Sequence, residues 1–215
     1  IDPDWWIETL AKDSTQETAK WMKSCFYGKK VILATERLDY TKGIKERIKA
    51  YDYLLTKHPE LKGDVMLVQV AVHSRMNVPL YQTIGREVDE AVGSLKGKYE
   101  RLDWRPIYYT NRGFSQEELC ALYSISEVGC ITPLEDGMNL VSKEFVMSGG
   151  DDRALILSKF AGASDELTDA YIVNPYDTEE VGEMMHYALN NPNINPLTKP
   201  VKSNTIYDWA ARALK

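Results

Sequence analysis

The chain has 215 residues, of which 44% are hydrophobic and 27% charged, and it carries a net charge of -6. These values describe a globular protein long enough for a sizeable core. They exclude an extended basic surface for nucleic acid as its main business, while leaving room for a local basic pocket that takes a small anion. No apolar run approaches the roughly 18 residues of a membrane-crossing helix, so no membrane partner is expected.

The opening I-D-P-D-W-W is polar and aromatic rather than a signal peptide, and it lacks an initiator Met, so the sequence reads as a piece of a longer protein. The three cysteines, Cys25, Cys120 and Cys130, have no C-x-x-C spacing, which points to reduced thiols in a cytoplasmic protein. Cys120 and Cys130 sit in apolar contexts and are expected in the core. His58, His73 and His186 are far apart in sequence, so a histidine metal site is not supported unless folding brings two together. The five tryptophans (Trp5, Trp6, Trp21, Trp104, Trp209) read as packing residues.

Residues 1–24 read as a lead-in containing a helix. Lys30–Ala34 is a buried-strand candidate, and Gly43–Leu55 is an amphipathic helix with Ile44, Ile48, Tyr51, Leu54 and Leu55 at helical spacing. Val65–Val72 is the second strand, Pro79–Val92 a helix and Ile107–Tyr109 a short strand. Ser115–Ile125 is a helix for which Ser115 and Glu118 form a capping box. Val128–Thr132 is a strand, Leu140–Met147 a helix, and Ala154–Leu157 and Tyr171–Val173 further strands. Thr178–Leu189 is a helix with Thr178 as its cap. The run Asn190–Asn204, with its prolines and asparagines, reads as irregular, and Thr205–Leu214 as a terminal helix. The alternation predicts an α/β fold: a Rossmann-like, mainly parallel sheet of about six strands, with five main helices covering both faces. The expected division is a lead-in over 1–24, the Rossmann-like domain over 25–190, and a tail over 191–215.

In such a sheet, ligands bind where strands end at their carboxyl edge. Three loops there carry chemistry. After the first strand, Glu36-Arg37-Leu38-Asp39-Tyr40-Thr41-Lys42-Gly43 offers two cations suited to a diphosphate, although it is neither G-x-G-x-x-G nor a P-loop. Surface charges flanking a helix start are the competing reading. After the second strand, His73-Ser74-Arg75-Met76-Asn77 places Arg75 on the same edge, where it also reads as a solvated arginine. After Val128–Ile131 comes T-P-L-E-D-G-M-N-L-V-S-K-E. Asp136 there suits sugar hydroxyls or caps a helix, and Glu144 suits a ribose or is an exposed helix carboxylate. Main-chain N–H groups of Gly137–Leu140 suit hydroxyls or phosphate. Phe114 flanks a base or staples its helix, and Lys159–Ala163 approaches the nucleotide or is a plain turn.

The ordered motifs E-R-L-D-Y-T-K-G-I, Q-V-A-V-H-S-R, R-P-I-Y-Y, E-E-L-C-A-L-Y, T-P-L-E-D-G-M-N-L-V-S-K-E-F-V, L-I-L-S-K-F-A-G-A-S-D-E-L and I-V-N-P-Y-D closely resemble the C-terminal half of trehalose-6-phosphate synthases. These are retaining glycosyltransferases of the two-Rossmann-domain (GT-B) type. The resemblance covers nearly the whole chain. It implies transfer of glucose from UDP-glucose to glucose 6-phosphate with retention, giving trehalose 6-phosphate and UDP, and it implies no catalytic metal and no cofactor. It implies that Arg37 and Lys42 contact the donor diphosphate and stabilise the leaving UDP. Asp136 would hold the donor glucose with the main chain of Gly137, Met138, Asn139, Leu140 and Val141. Glu144 would bind the ribose, Phe114 and Leu119 would lie beside the uracil, and Arg75 would bind the acceptor phosphate.

The resemblance also implies an N-terminal acceptor domain of the same protein that the present residues do not include, so the 215 residues alone are expected to be inactive. Homo-oligomerisation is left open. V-M-S-G-G-D-D-R-A after Phe145 is similar to glucosylglycerol-phosphate synthases, which use ADP-glucose, and this keeps that acceptor chemistry as an alternative. A catalytically silent, nucleotide-sugar-binding regulatory domain and an unrelated Rossmann-like module are the other readings.

Overall fold

A computed structural model of the chain describes residues 1–75 and 77–214; Met76, in the second basic loop, and Lys215 lie outside the described residues. Six parallel strands form one sheet in the order β3-β2-β1-β4-β5-β6: β1 (Lys30–Arg37), β2 (Val65–Val72), β3 (Ile107–Thr110), β4 (Val128–Ile131), β5 (Ala154–Ser158) and β6 (Tyr171–Val173). The strands are apolar because both faces are covered. Alternate residues feed two separate cores, as the period of two requires. Val31, Leu33, Met66, Val68, Leu155 and Leu157 point to one side, and Ile32, Val65, Leu67, Ala154 and Ile156 to the other.

On the second side lie α3 (Ile44–Lys57), α4 (Pro79–Tyr99) and α7 (Thr178–Ala188). The stripe Ile44, Ile48, Tyr51, Leu54 and Leu55 is buried as its spacing predicts. Helix α4 runs well past Val92, because Leu95 continues the buried stripe before Tyr99 closes it. On the first side lie α1 (Pro3–Ala11), α2 (Asp13–Cys25), α5 (Gln116–Ser124), α6 (Leu140–Met147) and α8 (Ile194–Ser203). Trp6, Ala19 and Met22 from α1 and α2, and Ile194, Leu197 and Val201 from α8, belong to the same core as Leu33 and Leu155. The final helix is α9 (Ile206–Ala213), whose N-terminus is closed by a Thr205–Asp208 capping box. The described residues thus contain nine α-helices, against seven expected: the five main ones, one in the lead-in and one at the C-terminal end.

Two local readings are corrected. The segment expected to be irregular holds α8. Pro196 falls in its first turn, where a missing N–H costs nothing, and Ile194, Leu197 and Val201 share one face that buries against α6. Helix α7 is capped by Asp177, whose carboxylate accepts from Glu180 N at 3.0 Å, and not by Thr178. The capping box at Ser115 and Glu118 is present as predicted. Cys120 and Cys130 are buried and Cys25 is exposed. Trp6 and Trp104 are buried packing residues, whereas Trp21 and Trp209 are exposed. No helix among the described residues is long and apolar enough to cross a membrane.

Candidate functional site

The strand order reverses direction between β1 and β4: the chain builds outward through β2 and β3, then returns to add β4, β5 and β6. Strands β1 and β4 pair only through Ile32–Val128 and Leu33–Gly129, while β1 continues alongside β2 to Arg37. Their carboxyl ends therefore lead into separate loops with a crevice between them, the usual ligand position in an open α/β sheet.

The β1 loop is shaped by its own residues. Asp39 caps a short 3-10 turn, Tyr40–Lys42, accepting from Thr41 N at 3.1 Å and from Thr41 Oγ1 at 3.0 Å. Gly43 then adopts φ 64°, and a Cβ there would lie 2.6 Å from the Thr132 carbonyl oxygen. Glycine is thus required both by the left-handed backbone and by the contact with the β4 loop. Thr41 O accepts from Leu134 N at 2.7 Å and from Glu135 N at 3.2 Å, tying the two loops together. Across this junction Lys42 Nζ meets Asp136 Oδ2 at 2.7 Å, with the two side chains only 15% and 16% exposed. Arg37 lies exposed at the end of β1 and makes no ion pair among the described residues, so its charge is available to a ligand.

The β4 loop lies alongside the β5 loop. Asp136 N donates to Phe160 O, Gly162 N to Asp136 O and Ala163 N to Met138 O, at 3.1, 3.0 and 2.7 Å. Asp136 does not cap α6. That role belongs to Asn139, whose backbone takes φ 74° and whose Oδ1 accepts from Ser142 N at 3.1 Å. Asn139 Nδ2 donates to Asp136 Oδ2 at 3.0 Å and Met138 N to Asp136 Oδ1 at 3.3 Å. The carboxylate is therefore held at the mouth of the crevice by a cation, an amide and a main-chain N–H. Leu140 and Val141 open α6, where N–H groups lack intrahelical acceptors and favour an anion or hydroxyl. Glu144, one turn further on, is half-buried rather than a solvated helix carboxylate. Burial raises its pKa, against the opposing hydrogen bond from Tyr123 Oη at 3.2 Å.

Arg75 is brought to the same edge, with φ 51° and its Nη1 3.1 Å from Tyr81 Oη. Tyr81 Oη donates in turn to Asp39 Oδ2 at 3.2 Å. Burial works against the Asp39 carboxylate, but hydrogen bonds from Thr41 and Tyr81 and the charge of Arg37 outweigh it, holding its pKa below the ordinary value. Phe114 and Leu119 are partly buried against the first core, and the Arg112 guanidinium lies 5.0 Å from the Phe114 ring centroid. An apolar cavity of about 300 Å³ lies beneath Phe114, bounded by Trp21, Met66, Tyr108 and Arg112. Its lining includes none of Arg37, Lys42, Asp136 or Glu144, so it is distinct from the polar crevice.

Sequence reading missed Arg47. Its guanidinium is buried and donates to Glu36 Oε1 at 2.6 Å, Gln69 Oε1 at 3.0 Å, Thr132 Oγ1 at 3.0 Å and Lys42 O at 3.1 Å. One side chain therefore joins β1, β2, the β4 loop and the residue before Gly43. The signal was present: Arg47 occupies a core position of the stripe Ile44, Ile48 and Tyr51, where a charge needs a partner.

A β1/β4 crevice with paired cation and carboxylate, and free helix N–H groups beside them, suits an anionic sugar derivative. Residues 1–215 match glycosyltransferase family 20 throughout. The chain belongs to glycosyltransferase family 20. Among family 20 relatives, it is 42% identical to an alpha,alpha-trehalose-phosphate synthase [UDP-forming] of Dictyostelium discoideum, covering 100% of this chain and 30% of that protein. A solved E. coli structure bound with UDP-2-fluoro glucose aligns at a TM-score of 0.94 and 36% identity, over 100% of this chain and 49% of that one. The alpha,alpha-trehalose-phosphate synthase (UDP-forming) of Burkholderia xenovorans, in complex with glucose-6-phosphate, aligns at a TM-score of 0.95 and 32% identity, over 100% and 49%. The fold is therefore that of one half of these GT-B enzymes, and the chain spans half or less of the length of these family 20 proteins.

Proposed function

We propose that this chain is the donor half of a glucosyltransferase that moves glucose from UDP-glucose to glucose 6-phosphate with retention, forming trehalose 6-phosphate and UDP. The observation that carries the reading is the Lys42–Asp136 pair across the β1/β4 crevice, with the unpaired cation Arg37 on its rim. Its likeness to relatives bound with UDP-2-fluoro glucose and with glucose-6-phosphate supports the choice of substrates.

On this reading Lys42 and Arg37 face the donor diphosphate. Charge builds on the leaving UDP as the glycosidic bond breaks, so fixed cations there act mainly in the transition state. Asp136 accepts hydrogen bonds from donor glucose hydroxyls, and the N–H groups from Gly137 to Val141 supply complementary donors. Glu144 takes the ribose hydroxyls and Phe114 and Leu119 flank the uracil. Arg75, oriented by Tyr81, binds the acceptor phosphate. The acceptor pocket is completed by the half of the enzyme that this chain does not span, so the 215 residues bind donor weakly and do not turn over.

Calorimetry separates nucleotide from sugar recognition. Both UDP and UDP-glucose bind the chain, and Asp136→Asn weakens UDP-glucose while tightening UDP, because it frees Lys42 from its ion pair. Equal losses for both ligands, or no heat with either from a folded chain, would overturn the assignment. Trehalose 6-phosphate formation by the 215-residue chain would refute the half-site reading.

A further inference from the structure

The amino-edge end of the sheet holds a second cluster of ligating side chains. Helices α3 and α7 start near the carboxyl edge and run back, and their ends meet at the opposite side, where Lys30 Nζ at the start of β1 lies 3.3 Å from Leu189 O. They pack closely because position 182 is glycine: a Cβ there would lie 2.7 Å from the Tyr53 ring and 2.8 Å from Ala50 O. That approach stacks His58, the C-cap of α3, on His186, in the last turn of α7, with ring centroids 3.7 Å apart and 14° between planes. Glu183 stands three residues before His186, on the same helix face. Its Oε2 lies 3.1 Å from His58 Nε2.

We propose that His58, Glu183 and His186 form a binding site for a divalent first-row transition-metal ion, unconnected with the sugar crevice. One nitrogen from each imidazole and one carboxylate oxygen already lie within 4.8 Å of one another. Metal–ligand bonds of about 2.0–2.2 Å require ligand atoms roughly 3.3–3.5 Å apart in tetrahedral geometry, and a metal lies in the plane of each imidazole it binds, so the two rings must turn out of their stack to converge on it. Two imidazoles and a carboxylate select zinc-like or copper-like ions over magnesium or calcium, and three protein ligands leave a position for water. The surroundings fit as well. Tyr53 Oη donates to Glu183 Oε1 at 3.1 Å, and Glu60 Oε1 lies 3.4 Å from His58 Nδ1, an arrangement that orients ligands from behind. Both histidines sit at helix C-termini, whose unpaired carbonyls favour a cation. The ion would pin the ends of α3 and α7 together.

The test is calorimetric titration of the chain with ZnCl2 and with MgCl2, repeated on His58→Gln, Glu183→Gln and His186→Gln. All are made in a Cys25→Ser background, because the exposed Cys25 thiol is a competing zinc ligand. One zinc per chain is expected, with a raised melting temperature, no magnesium response, and at least a tenfold loss of zinc affinity in each histidine variant. Since the variants are read beside their own metal-free melting curves, misfolding is separable from ligand loss. Absence of zinc binding by the folded Cys25→Ser chain, or binding unchanged by all three Gln substitutions, would overturn the site.

Discussion

Arg47→Met tests whether the first chemistry-bearing loop is held from below. The substitution keeps the length of the side chain and removes its charge. It strands the Glu36 carboxylate, only 7% exposed, whose ion pair with Arg47 spans 2.6 Å, and it releases Gln69, Thr132 and the Lys42 carbonyl. Breaking a buried ion pair from one side costs about 3–5 kcal/mol, because the remaining charge keeps little solvent and only a neutral hydrogen bond, here from Gln69 Nε2. Against a total stability of about 5–15 kcal/mol that is a large fraction. In urea the midpoint should fall by about 1–2 M at unchanged slope. Adding Glu36→Leu to Arg47→Met removes the stranded charge and should recover much of the loss, giving a coupling energy of a few kcal/mol in the double-mutant cycle. A loss below about 1 kcal/mol for Arg47→Met, or simple additivity of the two changes, would refute the reasoning. On the proposed function, the same variant in the longer enzyme should lower kcat more than it raises the KM for UDP-glucose, since Lys42 would remain present but misplaced.

Further expectations follow from neighbouring residues. Lys42→Met should weaken UDP binding to the chain by roughly ten- to a hundredfold, the equivalent of one charge-assisted contact, measured by calorimetry. Gly43→Ala should destabilise the fold by at least about 1–3 kcal/mol in denaturant titrations, since it adds left-handed strain and a clash with Thr132 O. Asp39 has a folded-state pKa below its unfolded one, so its contribution is complete above the ordinary carboxylate pKa of about 3.9 and is lost as pH falls through the depressed value. Asp39→Asn should therefore flatten the stability profile below about pH 4 while lowering stability at neutral pH. A profile parallel to the parent would show that Asp39 does not titrate as described.

How much of this was legible in the sequence depended on the range of the interactions. Val65–Val72, Leu140–Met147 and Tyr171–Val173 are strands and a helix over the very residues expected, because apolar pattern and flanking turns decide them locally. Arg37, Lys42, Arg75, Asp136 and Glu144 could be assigned to one sheet edge because the strand–helix alternation fixes which loops lie there. Helix α8 was hidden: Pro196 and Pro200 speak for a break, and only burial of Ile194, Leu197 and Val201 overrides them. A helix cap is one of the two readings open for Asp136 in sequence, because Asp commonly is one. The real cap, Asn139, requires a left-handed backbone that sequence does not announce. The Arg47 network joins residues from positions 36 to 132, and the stacked pair His58–His186 depends on a helix crossing at Gly182. Arg47 leaves one local sign, a charge on the buried stripe of α3 that does not name its partners, and the histidine stack leaves none.

The ion pair between Lys42 and Asp136 has a consequence for the end of the reaction cycle. In the structure each of these groups is the other's partner at 2.7 Å, so their charges offset each other across the crevice and Arg37 remains an unpaired cation among the described residues. On the proposed reading, UDP-glucose separates them, the diphosphate engaging Lys42 and the sugar engaging Asp136. Once the glucosyl unit has moved to its acceptor, the carboxylate has no hydroxyls of the donor left to hold, while UDP still occupies the cation. Asp136 then competes with the spent nucleotide for Lys42, and the protein's own carboxylate helps expel the product.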